Sequence, residues 1–180
     1  MSRDAMSKNR LTGGIGRTAV LAVAMTVLLA GTPFALAEEG SFRLLASYVR
    51  DYTTIDHAAG SVTAGNLTGT ATVLQSSGEP FVEGSHSIVS CVVYVRTSQA
   101  GVDLESPCTI TDGEGDSLYL HARRSSGGIE AGSGGEGGFE LLGGTGKYAG
   151  LAGVCPYETA YLPDDRTVTK TDCAWHRVAE

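Results

Sequence analysis

Gly143-Gly144-Thr145-Gly146-Lys147-Tyr148-Ala149-Gly150-Leu151-Ala152-Gly153 joins two apolar runs. Phe139-Glu140-Leu141-Leu142 leads in, and residues 154–162 lead out. Gly143, Gly144, Gly146, Gly150 and Gly153 make this a tight, backbone-shaped connection between two strands, because glycine adopts positive φ without steric cost. Two nucleotide readings compete with that one. A Walker loop needs Gly five residues before the Gly-Lys pair and Ser or Thr after it, and Leu141 and Tyr148 stand at those places. Gly144-x-Gly146-x-x-Ala149 fits a dinucleotide fingerprint, but such a fingerprint must open a long helix, and only a few residues separate Gly146 from the next strand-like run. Gly132-Ser-Gly134-Gly-Glu-Gly137 has the same spacing and fails for the same reason.

The Gly-Gly-Thr-Gly-Lys-Tyr-Ala-Gly run resembles the segment shared by allene oxide cyclases, dirigent proteins and similar bacterial barrel proteins. The resemblance implies a small antiparallel eight-stranded barrel with a hydrophobic cavity, often assembled as a trimer. It covers about a dozen residues and speaks to fold rather than activity, since one barrel hosts many functions. Dirigent proteins usually continue with an aromatic residue and an Ala-Arg-Gly-like ending, where this chain has Leu151-Ala152-Gly153. No catalytic residue of either family finds a match here, so none is carried over.

Residues 1–37 read as a secretion signal. Arg3, Lys8, Arg10 and Arg17 form a basic start, residues 19–29 an apolar core, and Ala35-Leu36-Ala37 a small-x-small cleavage site. The apolar run is too short to span a bilayer. The expected destination is secreted or periplasmic, with residues 38–180 as one domain. Removing the leader takes four of 13 basic and one of 20 acidic residues, leaving nine and nineteen, a formal charge of −10. Such a surface repels nucleic acid and anionic membranes, so neither is an expected partner.

All four cysteines lie in the exported part, where disulfides persist. Cys155 and Cys173 are equidistant from Asp164, within the turn-forming Pro163-Asp164-Asp165. With that centre Tyr157 faces Thr171 and Thr159 faces Thr169. Cys91 and Cys108 are symmetric about the Gln99–Ala100 bond, which sets Val95 against Leu104 and Arg96 against Asp103. Opposed residues in an antiparallel pair are close enough to bridge, so the registers predict Cys91–Cys108 and Cys155–Cys173. The alternative is a bulge that slips one register and pairs the cysteines across hairpins.

The rest alternates as strands. Strand-like runs occupy 42–55, 61–74, 85–96, 118–123 and 167–175, and Pro107 demotes the run around Cys108 to an edge or bulged strand. No segment after the leader has a helical period. Seven or eight strands mean a barrel or a sandwich, and the glycine motif tips the balance to an all-β, antiparallel eight-stranded barrel stapled by disulfides. The Gly-rich run 127–138 reads as a loose loop entering a strand.

Asp112-Gly113-Glu114-Gly115-Asp116 concentrates three carboxylates. It could begin a calcium site, but it lacks the full loop and closing bidentate Glu, so an acidic hairpin turn is the expectation. His57, His86, His121 and His176 are scattered without metal-ligand spacing, and no metal is expected. Tyr119, His121 and Arg123 share a strand face, the solvated outside or else a cavity mouth. No Gly-x-Ser-x-Gly elbow is present. Asn66-Leu67-Thr68 is a glycosylation sequon, relevant only in a eukaryotic source. Tyr148, Tyr157, Tyr161 and Trp175 gather around the last hairpin, where aromatics with polar tips suit a pocket for a mostly apolar ligand, with core packing as the competing reading.

The leading reading is a non-catalytic binding module for a small apolar or aromatic molecule. Two others stand beside it: a cofactor-free cyclase or isomerase shaping an apolar substrate, and a surface or interaction protein whose barrel is filled by side chains. Cavity size separates the last from the first two, and a carboxylate or Tyr aimed into the cavity separates catalysis from binding.

Overall fold

The computed structural model describes residues 38–178; the proposed leader lies outside them. Eight strands follow in order: β1 (Glu39–His57), β2 (Gly60–Ser76), β3 (His86–Ser98), β4 (Gly101–Asp112), β5 (Ser117–Arg124), β6 (Gly134–Gly144), β7 (Leu151–Tyr161) and β8 (Arg166–Arg177). Each pairs antiparallel with its neighbour, and β8 returns to β1, closing the barrel. Closure gives every strand two partners and leaves no edge to aggregate through. No helix among the described residues is long and apolar enough to cross a membrane.

The period of two carries the fold. On β3, Val89, Cys91, Val93 and Val95 are buried, while Ile88, Val92 and Tyr94 between them are exposed. On β7 and β8 the inward series are Cys155, Tyr157, Thr159, Tyr161 and Thr167, Thr171, Cys173, Trp175. Each large apolar chain so buried contributes about 1.5–3 kcal/mol relative to exposure.

Both expected bridges are present, Cys91–Cys108 and Cys155–Cys173, with Cα atoms 4.1 and 4.3 Å apart. The registers around them are those of the sequence reading: Val95 opposes Leu104, Arg96 opposes and ion-pairs with Asp103, Tyr157 opposes Thr171, and Thr159 opposes Thr169. Pro107 departs from expectation. It lies within β4, between β3 and β5, because a closed barrel has no edge to offer it. The β3–β4 pairing breaks off at Ser106 and Pro107 and resumes in the same register, so the missing N–H is absorbed without a bulge. Pro156 does the same between β7 and β8, where its carbonyl accepts the Thr171 hydroxyl at 2.7 Å.

The barrel's two ends differ. At one, the segment between β2 and β3 folds back and inserts Phe81, whose ring centroid lies 3.8 Å from Phe42, 5.6 Å from Tyr148 and 6.1 Å from Trp175. The Ser76 hydroxyl donates to the Phe81 carbonyl at 2.6 Å and holds the segment in place. This aromatic plug closes that end. The turn after β6 lies here, with a 3-10 turn at Gly146–Tyr148. Gly146 has φ 49°, and a Cβ on it would collide with the Asp116 carboxylate.

The run 127–138 is not a loose loop throughout. Residues 134–138 belong to β6, and there the glycines make room for large inward side chains. A Cβ on Gly135 would strike the Arg124 guanidinium, and one on Gly137 would meet the Tyr157 ring.

Candidate functional site

Between the plug and the opposite end lies a cavity of about 70 Å³. Leu44, Val89, Ile110, Leu120 and Phe139 line its apolar stretch. Toward the other end the walls of β1, β7 and β8 become hydroxyl-bearing, with Tyr48, Tyr52, Tyr157, Tyr161, Thr159 and Thr167, while Val93 and Leu104 keep the β3–β4 wall apolar. These positions follow from inward alternation on β1, β7 and β8 near the ends of those strands. No carboxylate lines the cavity among the described residues.

Two arginines stand behind this polar wall. Arg50 continues the inward series of β1 between Tyr48 and Tyr52, and Arg124 ends the inward series Leu118, Leu120, Ala122 on β5. Arg124 is only 4% exposed. Their guanidiniums lie 5.0 and 5.4 Å from the centroid of the Tyr161 ring, within cation–π range. Arg50 donates to the carbonyls of Ile129 at 2.8 Å and Leu162 at 3.1 Å. Arg124 Nη2 donates to the Gly128 carbonyl and to the Tyr161 hydroxyl, both at 3.1 Å.

Burial drives the phenols' acidity down. It pushes Tyr157 up to about 12 despite the opposing pull of Arg124, and it raises Tyr48, Tyr52 and Tyr161 as well. Near neutral pH these side chains keep their protons and act as hydrogen-bond donors, not bases.

Of the four aromatics singled out by sequence, Tyr157 and Tyr161 line the cavity. Tyr148 and Trp175 pack in the plug around Phe81. Sequence reasoning missed Tyr48, Tyr52, Arg50 and Arg124. The period of two that places Leu118 and Leu120 inside extends to Arg124 and was the available signal. Tyr119, His121 and Arg123 lie on the outer face of the same strand, with Tyr119 exposed and His121 Nε2 3.8 Å from Glu105.

The three carboxylates at the end of β4 and in the turn after it converge, with ligand oxygens of Asp112, Glu114 and Asp116 within 4.8 Å of one another. Protein donors already engage them. Lys147 Nζ lies 2.7 Å from Asp112 and 2.9 Å from Glu114, and the Tyr148 hydroxyl donates to Asp112 at 3.1 Å. Asp112 also accepts the Glu114 and Asp116 amides at 2.9 and 3.1 Å, the wiring of an acidic hairpin turn.

The chain matches no protein-family model and no curated protein. Among solved structures it is similar to a pterocarpan synthase dirigent protein, at 16% identity and a TM-score of 0.50, over 86% of this chain and 99% of that one. At that identity the likeness is one of fold, and it agrees with the glycine motif: this chain folds as a dirigent-like barrel.

Proposed function

We propose that the protein is an exported binding module that holds a small apolar or aromatic molecule inside its barrel. Residues 1–37 would direct export, and 38–180 would form the mature domain. The observation that carries the reading is the interior cavity, closed at one end by Phe81 and walled by aliphatic side chains that give way to phenols and threonines. That mixture orients a ligand with an apolar body and a polar end. At about 70 Å³ the cavity seats only part of such a ligand, so uptake requires side chains at the polar end to shift. Titrating native protein with a hydrophobic fluorescent probe, while near-UV circular dichroism monitors packing, tests this. Saturable uptake that weakens in Tyr157→Ala supports it; no uptake until denaturation overturns it.

The small cavity also favours a second reading, a filled barrel that works through its surface. Between His86 and Arg96, the outer face of β2 and β3 carries Ala64, Asn66, Thr68 and Thr70 beside Ile88, Ser90, Val92 and Tyr94, an uncharged stretch. On so acidic a chain, an uncharged sheet face suits contact with a second copy, as the trimer implied by the glycine motif would need. Sedimentation of native protein separates monomer from trimer.

A further inference from the structure

Among the described residues, the buried side-chain atoms without a protein hydrogen-bond partner are Arg50 Nε, Tyr52 Oη, His121 Nε2, Arg124 Nε and Nη1, Thr167 Oγ1 and Trp175 Nε1. Five of these seven belong to four residues at the polar end of the barrel. Tyr52 and Thr167 line the cavity itself. Arg50 and Arg124 flank Tyr161, which lines it too. Four of the five atoms are obligate donors or phenol hydroxyls, and two guanidiniums supply positive charge. An unpaired buried charge is among the most costly features a fold can carry, and a fold that keeps one supplies its partner from outside.

The neighbouring acids do not supply that partner. Asp165 lies 3.7 Å from Arg50 Nη2 but is largely exposed. Glu130 accepts the Ile129 amide at 3.1 Å. Arg124 has no carboxylate within 4.0 Å among the described residues. A surface hollow formed by β4, the end of β5 and β6 also reaches Arg124, but Asp103, Glu105 and Glu136 outnumber Arg123 on its rim and disfavour anions. From the cavity, an anion would meet this guanidinium beside Tyr161, which lines the cavity and accepts from Arg124 Nη2.

We infer that the polar end of the cavity binds the carboxylate of an aromatic or aliphatic acid, with Arg124 and Arg50 as its charge partners and Tyr52 and Thr167 as added donors. The inference rests on the binding reading above and sharpens its ligand class. A guanidinium presents paired N–H groups matched to a carboxylate, and burial strengthens the bonds. Gly127 and Gly135 fit the site, since a side chain at either would occupy the space of Arg124 Nη1.

The test is a matched pair, 3-phenylpropanoate and 3-phenylpropan-1-ol, each titrated calorimetrically into the intact native protein. The acid should bind at least tenfold more tightly, and its advantage should shrink with added salt. Arg124→Met should abolish the preference, bringing the acid to the affinity of the alcohol. Without ligand, Arg124→Met should melt no lower than the parent, because it removes an unpaired charge. If Arg124→Met fails to fold, Tyr52→Phe and Thr167→Val, which keep shape and lose donors, should each weaken the acid more than the alcohol. Equal binding of acid and alcohol by the parent overturns the carboxylate assignment and leaves the binding reading standing. An acid preference that survives Arg124→Met, or both donor changes, overturns it too. Failure of both compounds to bind removes the binding reading and this inference with it.

Discussion

Lys147 Nζ sits 2.7 Å from the carboxylate of Asp112, tying the 3-10 turn after β6 to the hairpin between β4 and β5. Tyr148, the next residue, donates to the same carboxylate and turns its ring into the plug against Phe81. The glycine motif is thus a clamp as well as a turn. Gly146 brings the chain over Asp116, Lys147 and Tyr148 seize Asp112, and the closed end of the barrel is fixed.

Lys147→Met leaves a mostly buried carboxylate without its cation and should lower stability by about 1–3 kcal/mol at neutral pH. The loss depends on pH. Burial pushes the Asp112 carboxyl up, but hydrogen bonds from Lys147, Glu114 and Tyr148 outweigh it and hold the carboxyl below its ordinary value. A depressed carboxyl stabilises the fold above its unfolded value, about 3.9, and loses that contribution as pH falls through the folded one. Hydrogen bonds that Lys147 donates to Asp112 and Glu114 raise it, and its contribution holds below about 10.4 and fades as pH rises through its folded value. Urea melts should show a constant gap between parent and variant from roughly pH 5 to 10, narrowing on either side. A gap that stays constant down to pH 2 would mean that Lys147 acts by packing alone.

The two bridges span sequence separations of 17 and 18 residues. Loop-closure entropy then assigns each about 3 kcal/mol. Replacing either pair by serine should cost a similar amount, and non-reducing peptide maps should show only Cys91–Cys108 and Cys155–Cys173. Unchanged urea midpoints after full reduction would contradict the assignment of stability to these bridges.

Much of this was legible in the sequence, for a reason particular to hairpins. Two residues equidistant from a turn must face each other, so the symmetry of Cys155 and Cys173 about Asp164 determined a register, a bridge and the inward face of two strands. Periodicity did the same for β3. The polar end of the cavity was not legible in that way. A charged residue in a strand reads as outward-facing, because burial of an unpaired charge is unfavourable, so Arg50 and Arg124 were passed over. Composition misled in the same place: a glycine run reads as slack, whereas Gly135 and Gly137 are small because Arg124 and Tyr157 need their space. The Phe81 plug depends on how an irregular segment folds back, which no strand period encodes.

Gly146→Ala should be costly and Gly113→Ala should not. Gly146 combines φ 49° with the Asp116 carboxylate where a Cβ would go, whereas nothing lies within 4 Å of the Cβ position at Gly113. The first substitution should cost about 1–2 kcal/mol from the backbone alone, plus displacement of Asp116; the second should be neutral or stabilising by about 0.5 kcal/mol. Thermal melts of the two variants decide it, and equal melting temperatures would show that the turn tolerates a side chain.

Alkaline titration tests the tyrosine-lined interior directly. Burial raises the phenols of Tyr48, Tyr52, Tyr148, Tyr157 and Tyr161, with Tyr148 and Tyr157 pushed up to about 12. The unfolded chain releases phenolic protons near pH 10, while the fold retains them. Unfolding therefore releases protons above pH 10, and stability must fall as pH rises through that range. In a Tyr94→Phe/Tyr119→Phe background only the five inward phenols remain to absorb as phenolates. Their signal should then appear in one steep step, coincident with loss of near-UV circular dichroism and at the rate of unfolding after a pH jump. Replacing Tyr157 by Phe should make the fall in stability shallower, because one fewer proton is released. Gradual phenolate formation in a chain that keeps its near-UV signal would mean that the interior admits solvent freely. The same result would return the tyrosines to play as bases and revive catalysis of an apolar substrate over passive binding, since only a phenol that ionises while the barrel is closed can take a proton from a ligand inside it.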